Sequence, residues 1–154
     1  MKITLRAIGR LKVGPLSDLL KMYTTRMRAQ VFIEELEARK KGSALEVQEE
    51  EARLLLGGRV EGAYVIALDE RGKTLTSESF ANLLEEQTVR GCSHFMFLIG
   101  GADGLTPQVR QQADYVMSFG SMVWPHMLIR VMLMEQLYRA QQITAGHPYH
   151  RGDG

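Results

Sequence analysis

The sequence predicts an α/β fold, a sandwich of helices around a mainly parallel sheet. Strand-like and helix-like spacing of apolar residues alternates along the 154 residues and gives the element order βαβαβαβαβα. Two of the predicted strands are short continuous apolar runs, which are typical of strands covered on both faces. No linker-like change of composition divides the chain, so we expect one domain over residues 1–154.

The first three elements follow from the patterns near the N-terminus. Apolar and polar residues alternate over residues 1–9, which predicts the first strand. Pro15 follows Gly14 and suits the first turn of a helix, and apolar residues follow it at helical spacing. The stretch 30–36 (QVFIEEL) predicts the second strand.

The second helix and the third strand are bounded by clear signals. Ser43-x-x-Glu46 is a capping-box pattern that opens a helix, and Gly57-Gly58 ends it. The run 63–68 (AYVIAL) predicts a buried third strand, and residues 69–72 (DERG) predict the turn that ends it.

The second half of the chain continues the alternation. Residues 77–90 predict a helix, and 93–99 (SHFMFLI) predict another buried strand. Thr106-Pro107 is an N-cap followed by a first-turn proline, so a short helix begins there. Residues 115–119 predict the last strand and 125–143 the final helix.

Three loops are expected at one edge of this sheet, after Leu68, after Ile99 and after Phe119, where open parallel sheets bind ligands. The second of them, Gly100-Gly101-x-x-Gly104, is neither a dinucleotide fingerprint nor a P-loop. It either lets a ligand approach the backbone closely or makes a plain tight turn.

The loop 120–125 (GSMVWP) and the helix that follows it are unusually apolar. Exposing Met, Val and Trp is costly, so we expect the loop to pack against a partner chain or an apolar ligand ring, with Trp124 as core filler the alternative. The final helix is apolar almost all round, which predicts a subunit interface.

Histidines concentrate near the C-terminus. His147 and His150 flank Pro148, which does not suit a helical metal pair, and no metal is expected. His150 is either a proton-handling or substrate-orienting group or part of a frayed polar terminus. His94, inside a strand, is expected to be a hydrogen-bonded core residue, and His126 to pack or cap.

Charge and composition bound the function classes. Residues 1–28 carry seven basic side chains against Asp18, and residues 34–51 carry seven glutamates against Arg39, Lys40 and Lys41. The asymmetry indicates either a face for polyanions or a plain solvated surface. No membrane span or signal peptide is expected, and the single Cys92 fits a cytoplasmic protein.

Taken together, several motifs resemble the RlmH family of SPOUT-class methyltransferases over essentially the whole chain, most weakly over residues 10–60. The motifs are Leu68-Asp69-x-x-Gly72-Lys73, Ser77-Glu78-x-Phe80-Ala81, Phe97-Leu98-Ile99-Gly100-Gly101-x-x-Gly104, Pro125-His126-x-x-x-Arg130-Val131-x-Leu133-x-Glu135-Gln136-Leu137-Tyr138-Arg139-Ala140 and Pro148-Tyr149-His150-Arg151.

The resemblance implies S-adenosylmethionine-dependent methylation of N3 of a pseudouridine in 23S ribosomal RNA (helix 69 loop), on the assembled ribosome. It also implies a homodimer and a C-terminal trefoil knot, with the knotted cofactor-binding part at about 63–154. The cofactor residues it implies are Leu68, Gly100, Gly101, Gly120, Ser121, Met122, Val123, Trp124 and Pro125. The tail residues Tyr149, His150 and Arg151 would reach the RNA at the dimer interface, with His150 handling the proton.

One departure concerns the cofactor loop. The family commonly has Ser-x-x-Thr where this chain has Gly120-Ser121-Met122-Val123, so a hydroxyl is lost at Val123 while backbone contacts to the adenine would survive. Two alternative functions stay open: a SPOUT methyltransferase of a different RNA, and a non-catalytic RNA-binding α/β module.

Overall fold

A computed structural model describes residues 1–39 and 42–151 of the chain. Lys40 and Lys41, counted above among the charges, and residues 152–154 of the expected domain lie outside the described residues. Within the described ranges, no helix is long and apolar enough to cross a membrane.

Five strands form one sheet in the order β2-β1-β4-β3-β5, and every neighbouring pair is parallel. The strands are β1 (Lys2–Ile8), β2 (Gln30–Leu36), β3 (Tyr64–Thr74), β4 (His94–Ile99) and β5 (Tyr115–Ser118). The helices are α1 (Pro15–Arg26), α2 (Ala44–Gly57), α3 (Ser77–Val89), α4 (Pro107–Gln112) and α5 (His126–Thr144), followed by a 3-10 helix (Pro148–Arg151). The α/β prediction is therefore confirmed, element by element.

Helix starts agree with the predicted capping residues. The Ser43 hydroxyl accepts a hydrogen bond from the Glu46 N–H, and the Thr106 hydroxyl accepts one from the Val109 N–H. A side-chain oxygen at these positions satisfies a backbone N–H that has no partner within the helix.

Two apolar layers flank the sheet. One layer holds α1, α3 and α5, and packs Phe80 and Leu133 against strand residues such as Leu5 and Phe97. The other holds α2 and α4 around residues such as Leu55. Because helices cover both faces, the middle strand β4 is apolar over most of its length, and Phe95 to Ile99 are all at most 3% exposed.

The predicted end of β3 is wrong. Residues 69–72 do not end the strand but interrupt its pairing with β5, which resumes at Lys73 and Thr74. Gly72 lies so close to β5 that a Cβ there would be 2.7 Å from the backbone of Met117. Glycine is required at this position by the close approach of two backbones.

A buried arginine ties α5 to the first two strands. Arg130 is fully buried, donates to the carbonyls of Ile8 and Gly9 at 2.9 and 2.8 Å, and pairs with Glu35 at 2.7 Å. The same Glu35 oxygen accepts from the Leu11 N–H at 2.6 Å. Burial opposes ionisation of Glu35, but the Leu11 N–H and Arg130 together hold its pKa below the usual value.

Candidate functional site

A cavity of about 380 Å³ opens at the carboxyl ends of β3, β4 and β5. The three loops predicted to meet at this edge do meet, because the strands that carry them are neighbours in the sheet. The cavity walls combine glycine backbone, apolar side chains such as Met117 and Ile129, and charged side chains such as Asp69 and Arg71. This mixture suits a small polar molecule with one flat apolar part.

Seven of the nine predicted cofactor residues line this cavity: Leu68, Gly100, Gly101, Gly120, Met122, Val123 and Trp124. Ser121 and Pro125 belong to the same loop but do not contribute to the wall. The structure therefore brings the predicted set to one place, while the roles of the individual residues stay predictions.

Several wall residues were missed by sequence reasoning. Asp69 and Arg71 were assigned to a turn, and His126 was expected only to pack or cap. The signal that could have found Asp69 is its position directly after a buried strand, where ligand-binding side chains concentrate.

The carboxylate of Asp69 is almost fully enclosed, with a side chain only 3% exposed. It accepts from the Arg71 N–H at 2.9 Å and pairs with the guanidinium groups of Arg71 and Arg110 at 3.4 and 3.7 Å. Arg110 also donates to the Leu105 carbonyl at 2.8 Å. These contacts fix the interrupted part of β3 as one wall of the cavity.

Trp124 stands at the cavity rather than in the core. Its indole N–H donates to the Phe119 carbonyl at 3.3 Å, and it is 38% exposed. Met122 and Val123 beside it are strongly exposed at the rim. The core-filler alternative for Trp124 is therefore wrong, and the loop offers apolar surface that a ligand or a partner chain could cover.

The N-terminus of α5 is a second feature of the rim. The helix begins at His126, directly after Pro125, and its first intrahelical bond runs from the Ile129 N–H to the Pro125 carbonyl at 3.0 Å. The preceding N–H groups have no intrahelical acceptor, so they are available to a polar group at the cavity.

The C-terminal tail folds back onto α5. The Tyr149 hydroxyl donates to Glu135 at 3.2 Å, and its ring packs edge-on against Tyr138 with centroids 4.8 Å apart. The Arg139 guanidinium lies 4.9 Å from the Tyr149 ring centre and pairs with Glu135 at 2.7 Å. Burial, together with contacts to Tyr23 and Glu135, raises the pKa of the Tyr149 hydroxyl above its usual value.

His150 is held between two helices. Its Nε2 lies 2.7 Å from the Glu78 carboxylate at the start of α3, and its carbonyl accepts from Arg139 at 3.3 Å. The hydrogen bond from His150 lowers the pKa of Glu78. Nδ1 is buried without a partner, whereas Arg151 is exposed. The tail is thus anchored to α3 and α5 through Tyr149 and His150.

The other predicted residues are placed as follows. His94 is half-buried and bonds the Thr4 hydroxyl at 2.7 Å, and burial lowers the pKa of its imidazole. Arg6 does not belong to the basic surface, because it is buried, pairs with Glu34 and donates to the Leu54 and Leu55 carbonyls. The remaining basic residues of the N-terminal segment are exposed: Lys2, Arg10, Lys12, Lys21, Arg26 and Arg28.

Part of α5 and α1 leaves apolar side chains at the surface. Leu19 of α1 and Leu128 and Met132 of α5 line a shallow groove with Phe119. Only one side of α5 is buried against the sheet layer, and the half-exposed apolar residues lie along its other side. This is the surface that the predicted subunit interface would use.

The amino-acid sequence is similar to one known protein family and to proteins of bacterial origin. Residues 1–150 match the family described as "Predicted SPOUT methyltransferase". The chain is 49% identical over 151 residues to the ribosomal RNA large subunit methyltransferase H of Rhodospirillum centenum, covering 98% of this chain and 99% of that protein. It is 44% identical to the protein of the same name from Paramagnetospirillum magneticum over the same shares of both chains.

A solved structure supports the fold alone. A probable methylase family protein from Haemophilus influenzae Rd KW20 superposes with a TM-score of 0.53 at 12% identity, covering 95% of this chain and 69% of that one.

Proposed function

The chain belongs to the SPOUT methyltransferase family, and on that premise we propose that it methylates N3 of a pseudouridine in 23S ribosomal RNA, using S-adenosylmethionine. The chain matches, from end to end, relatives named ribosomal RNA large subunit methyltransferase H, so it is a methyltransferase of large-subunit ribosomal RNA. We further propose the identity of the target nucleotide, its location in the helix 69 loop, and S-adenosylmethionine as the methyl donor.

The observation that carries the proposal is the fit of the cavity to the donor. A volume of about 380 Å³ is large enough for a nucleoside with an amino-acid arm. Met117, Phe119 and Ile129 offer an apolar wall for a purine ring, and Gly100 and Gly101 let the backbone approach a ligand closely.

The charged groups of the cavity also match the donor. S-adenosylmethionine would supply a sulfonium-bound methyl group, and it carries an ammonium and a carboxylate besides. The exposed Asp103 complements the positive groups, and Arg71, which Asp69 holds at the cavity wall, complements the carboxylate. Trp124 and the loop around it would exclude water from one side of the bound molecule.

The tail provides the groups for the RNA base. The imide N3–H of a pseudouridine must lose its proton before N3 can attack a methyl group. We assign His150 to hold or accept that proton, which contributes about 10²–10⁴-fold to such reactions. Because Nδ1 is enclosed, Nε2 is the atom that would exchange Glu78 for the substrate. Tyr149 and Arg151 would position the base and a phosphate.

The exposed basic side chains of the N-terminal segment would supply affinity for the RNA backbone. Arg10, Lys12, Lys21, Arg26 and Arg28 are all solvent-accessible. Binding through them should weaken steeply as salt rises, because each neutralised phosphate releases counterions. An enzyme acting on ribosomes would work in the cytoplasm.

The homodimer and the trefoil knot belong to the same proposal. The apolar groove between α1 and α5 offers the contact surface for a second copy.

The test is transfer of labelled methyl from S-adenosylmethionine to ribosomes from a strain deleted for this gene, with wild-type ribosomes as the control. We expect label in large-subunit RNA of the deletion strain alone, mapped to N3 of a pseudouridine. Label in a different RNA would instead identify another target. Binding of the donor without any transfer would identify a non-catalytic RNA-binding module.

A further inference from the structure

Glu51 of α2 is a buried carboxyl group directly behind the glycine loop of the cavity. It is 7% exposed, and its Oε1 is enclosed without a hydrogen-bond partner. A Cβ on Gly101 would lie 2.7 Å from its Oε2, so the carboxyl group occupies the space that a side chain at position 101 would need.

The charged surroundings of Glu51 disfavour an ionised carboxylate. Asp103 faces it from the glycine loop, and Glu50 lies beside it on α2. Arg6 of β1 contacts α2 at the carbonyls of Leu54 and Leu55 and pairs with Glu34. Within residues 1–39 and 42–151, no ion pair to Glu51 is formed.

Burial above all, and then the charges of Asp103 and Glu50, raise the pKa of Glu51. A buried carboxylate without a cation is costly, whereas the neutral acid is tolerated and can donate a hydrogen bond. The same helix also holds the loop through Gln48, whose amide donates to the Asp103 carbonyl at 2.9 Å.

We propose that the Glu51 carboxyl group, packed against Gly101, is a positioning residue that holds residues 100–104 in the shape that binds the methyl donor. Ionisation places a second negative charge beside Asp103 and pushes the loop out of that shape. The inference rests on the cofactor site proposed above and adds to it a residue that does not line the cavity.

The proposal predicts a pH dependence of donor affinity with a definite sign. Affinity falls as pH rises through the pKa of Glu51, by at most about tenfold per pH unit, because one proton is released. Glu51→Gln keeps the shape and cannot ionise, so its affinity should change less than the wild type over the same range. Glu49→Gln, an exposed position on the same helix, is the matched control and should follow the wild type.

The measurement is calorimetric titration of S-adenosylmethionine into the three proteins from about pH 5 to pH 8.5. If the affinity of Glu51→Gln depends on pH in the same way as that of the wild type, the role of Glu51 is overturned, but the proposed cofactor site is not. Failure of the wild type to bind at any pH overturns the proposed cofactor site with it, so the two failures are distinguishable.

A double-mutant cycle tests the contact without relying on titration. Gly101→Ala should weaken binding, because its Cβ meets the Glu51 carboxyl group. In a Glu51→Ala background that loss should be at least about tenfold smaller, since contacting residues are coupled. Additive losses in the two variants would overturn the inference.

Discussion

Replacing Arg130 by methionine tests whether the buried arginine holds the cavity end of α5 to the sheet. The substitution removes the hydrogen bonds to the Ile8 and Gly9 carbonyls and the ion pair to Glu35. The buried carbonyls of Ile8 and Gly9 then lose a hydrogen-bond donor, and Glu35 keeps only the hydrogen bond from the Leu11 N–H. Breaking such a buried pair from one side costs about 3–5 kcal/mol.

The lower part of that range is expected, because the side chain of Glu35 is 33% exposed and can regain water. For a chain of this length each kcal/mol lowers the melting temperature by about 2–4 °C, so we expect a fall of at least about 6 °C. The assay is urea and thermal unfolding of Arg130→Met beside the wild type.

Arg139→Met is the matched control, because Arg139 is also an α5 arginine paired with a glutamate. The Arg139 side chain is 22% exposed, whereas that of Arg130 is fully buried, so the loss of its ion pair should cost only about 1 kcal/mol. If Arg130→Met is no less stable than Arg139→Met, the structural role assigned to Arg130 is refuted.

Three further predictions concern other parts of the molecule. Gly72→Ala should lower the unfolding free energy by several kcal/mol, as an order of magnitude, because its Cβ would meet the Met117 backbone. Gly57→Ala, with open space around position 57, should be almost neutral in the same denaturant titrations. His150→Ala should lower single-turnover methyl transfer by about 10²–10⁴-fold with unchanged donor affinity, and an unaffected rate would remove it from the mechanism. The pKa of Glu35 is lower in the folded protein than the value near 4.5 of the unfolded chain, so its stabilising effect is complete above the unfolded pKa and is lost as pH falls through the folded pKa. The difference in unfolding free energy between wild type and Glu35→Gln should therefore close in acid. A difference that does not depend on pH would contradict this.

Local sequence signals located the elements well, because the helix starts are specified by residues within one turn. Ser43 and Thr106 cap the helices that they were predicted to cap, and Pro15 and Pro107 stand at the first helical position. The candidate cofactor loops could also be located, since parallel strands place their carboxyl ends at one edge.

Features that depend on distant parts of the chain could not be predicted in the same way. The residues 69–72 have turn-forming composition, but pairing with β5 carries the strand beyond them. Arg6 and Glu51 belong to charged segments that suggest a solvated surface, yet both are buried where α2 packs on the face of the sheet. These contacts join residues that are far apart in the sequence, so local patterns of residues cannot predict them.

We propose that the cavity at the ends of β3, β4 and β5 holds the methyl donor. The most direct test is calorimetric titration of S-adenosylmethionine into Ile129→Trp, which fills the cavity wall, and into Ile143→Trp, the same change at the far end of α5. We expect one site per chain in wild type and in Ile143→Trp. In a folded Ile129→Trp we expect the affinity to fall by at least about 100-fold, equivalent to about 2.8 kcal/mol. Unchanged affinity in folded Ile129→Trp would contradict the claim and locate the donor elsewhere.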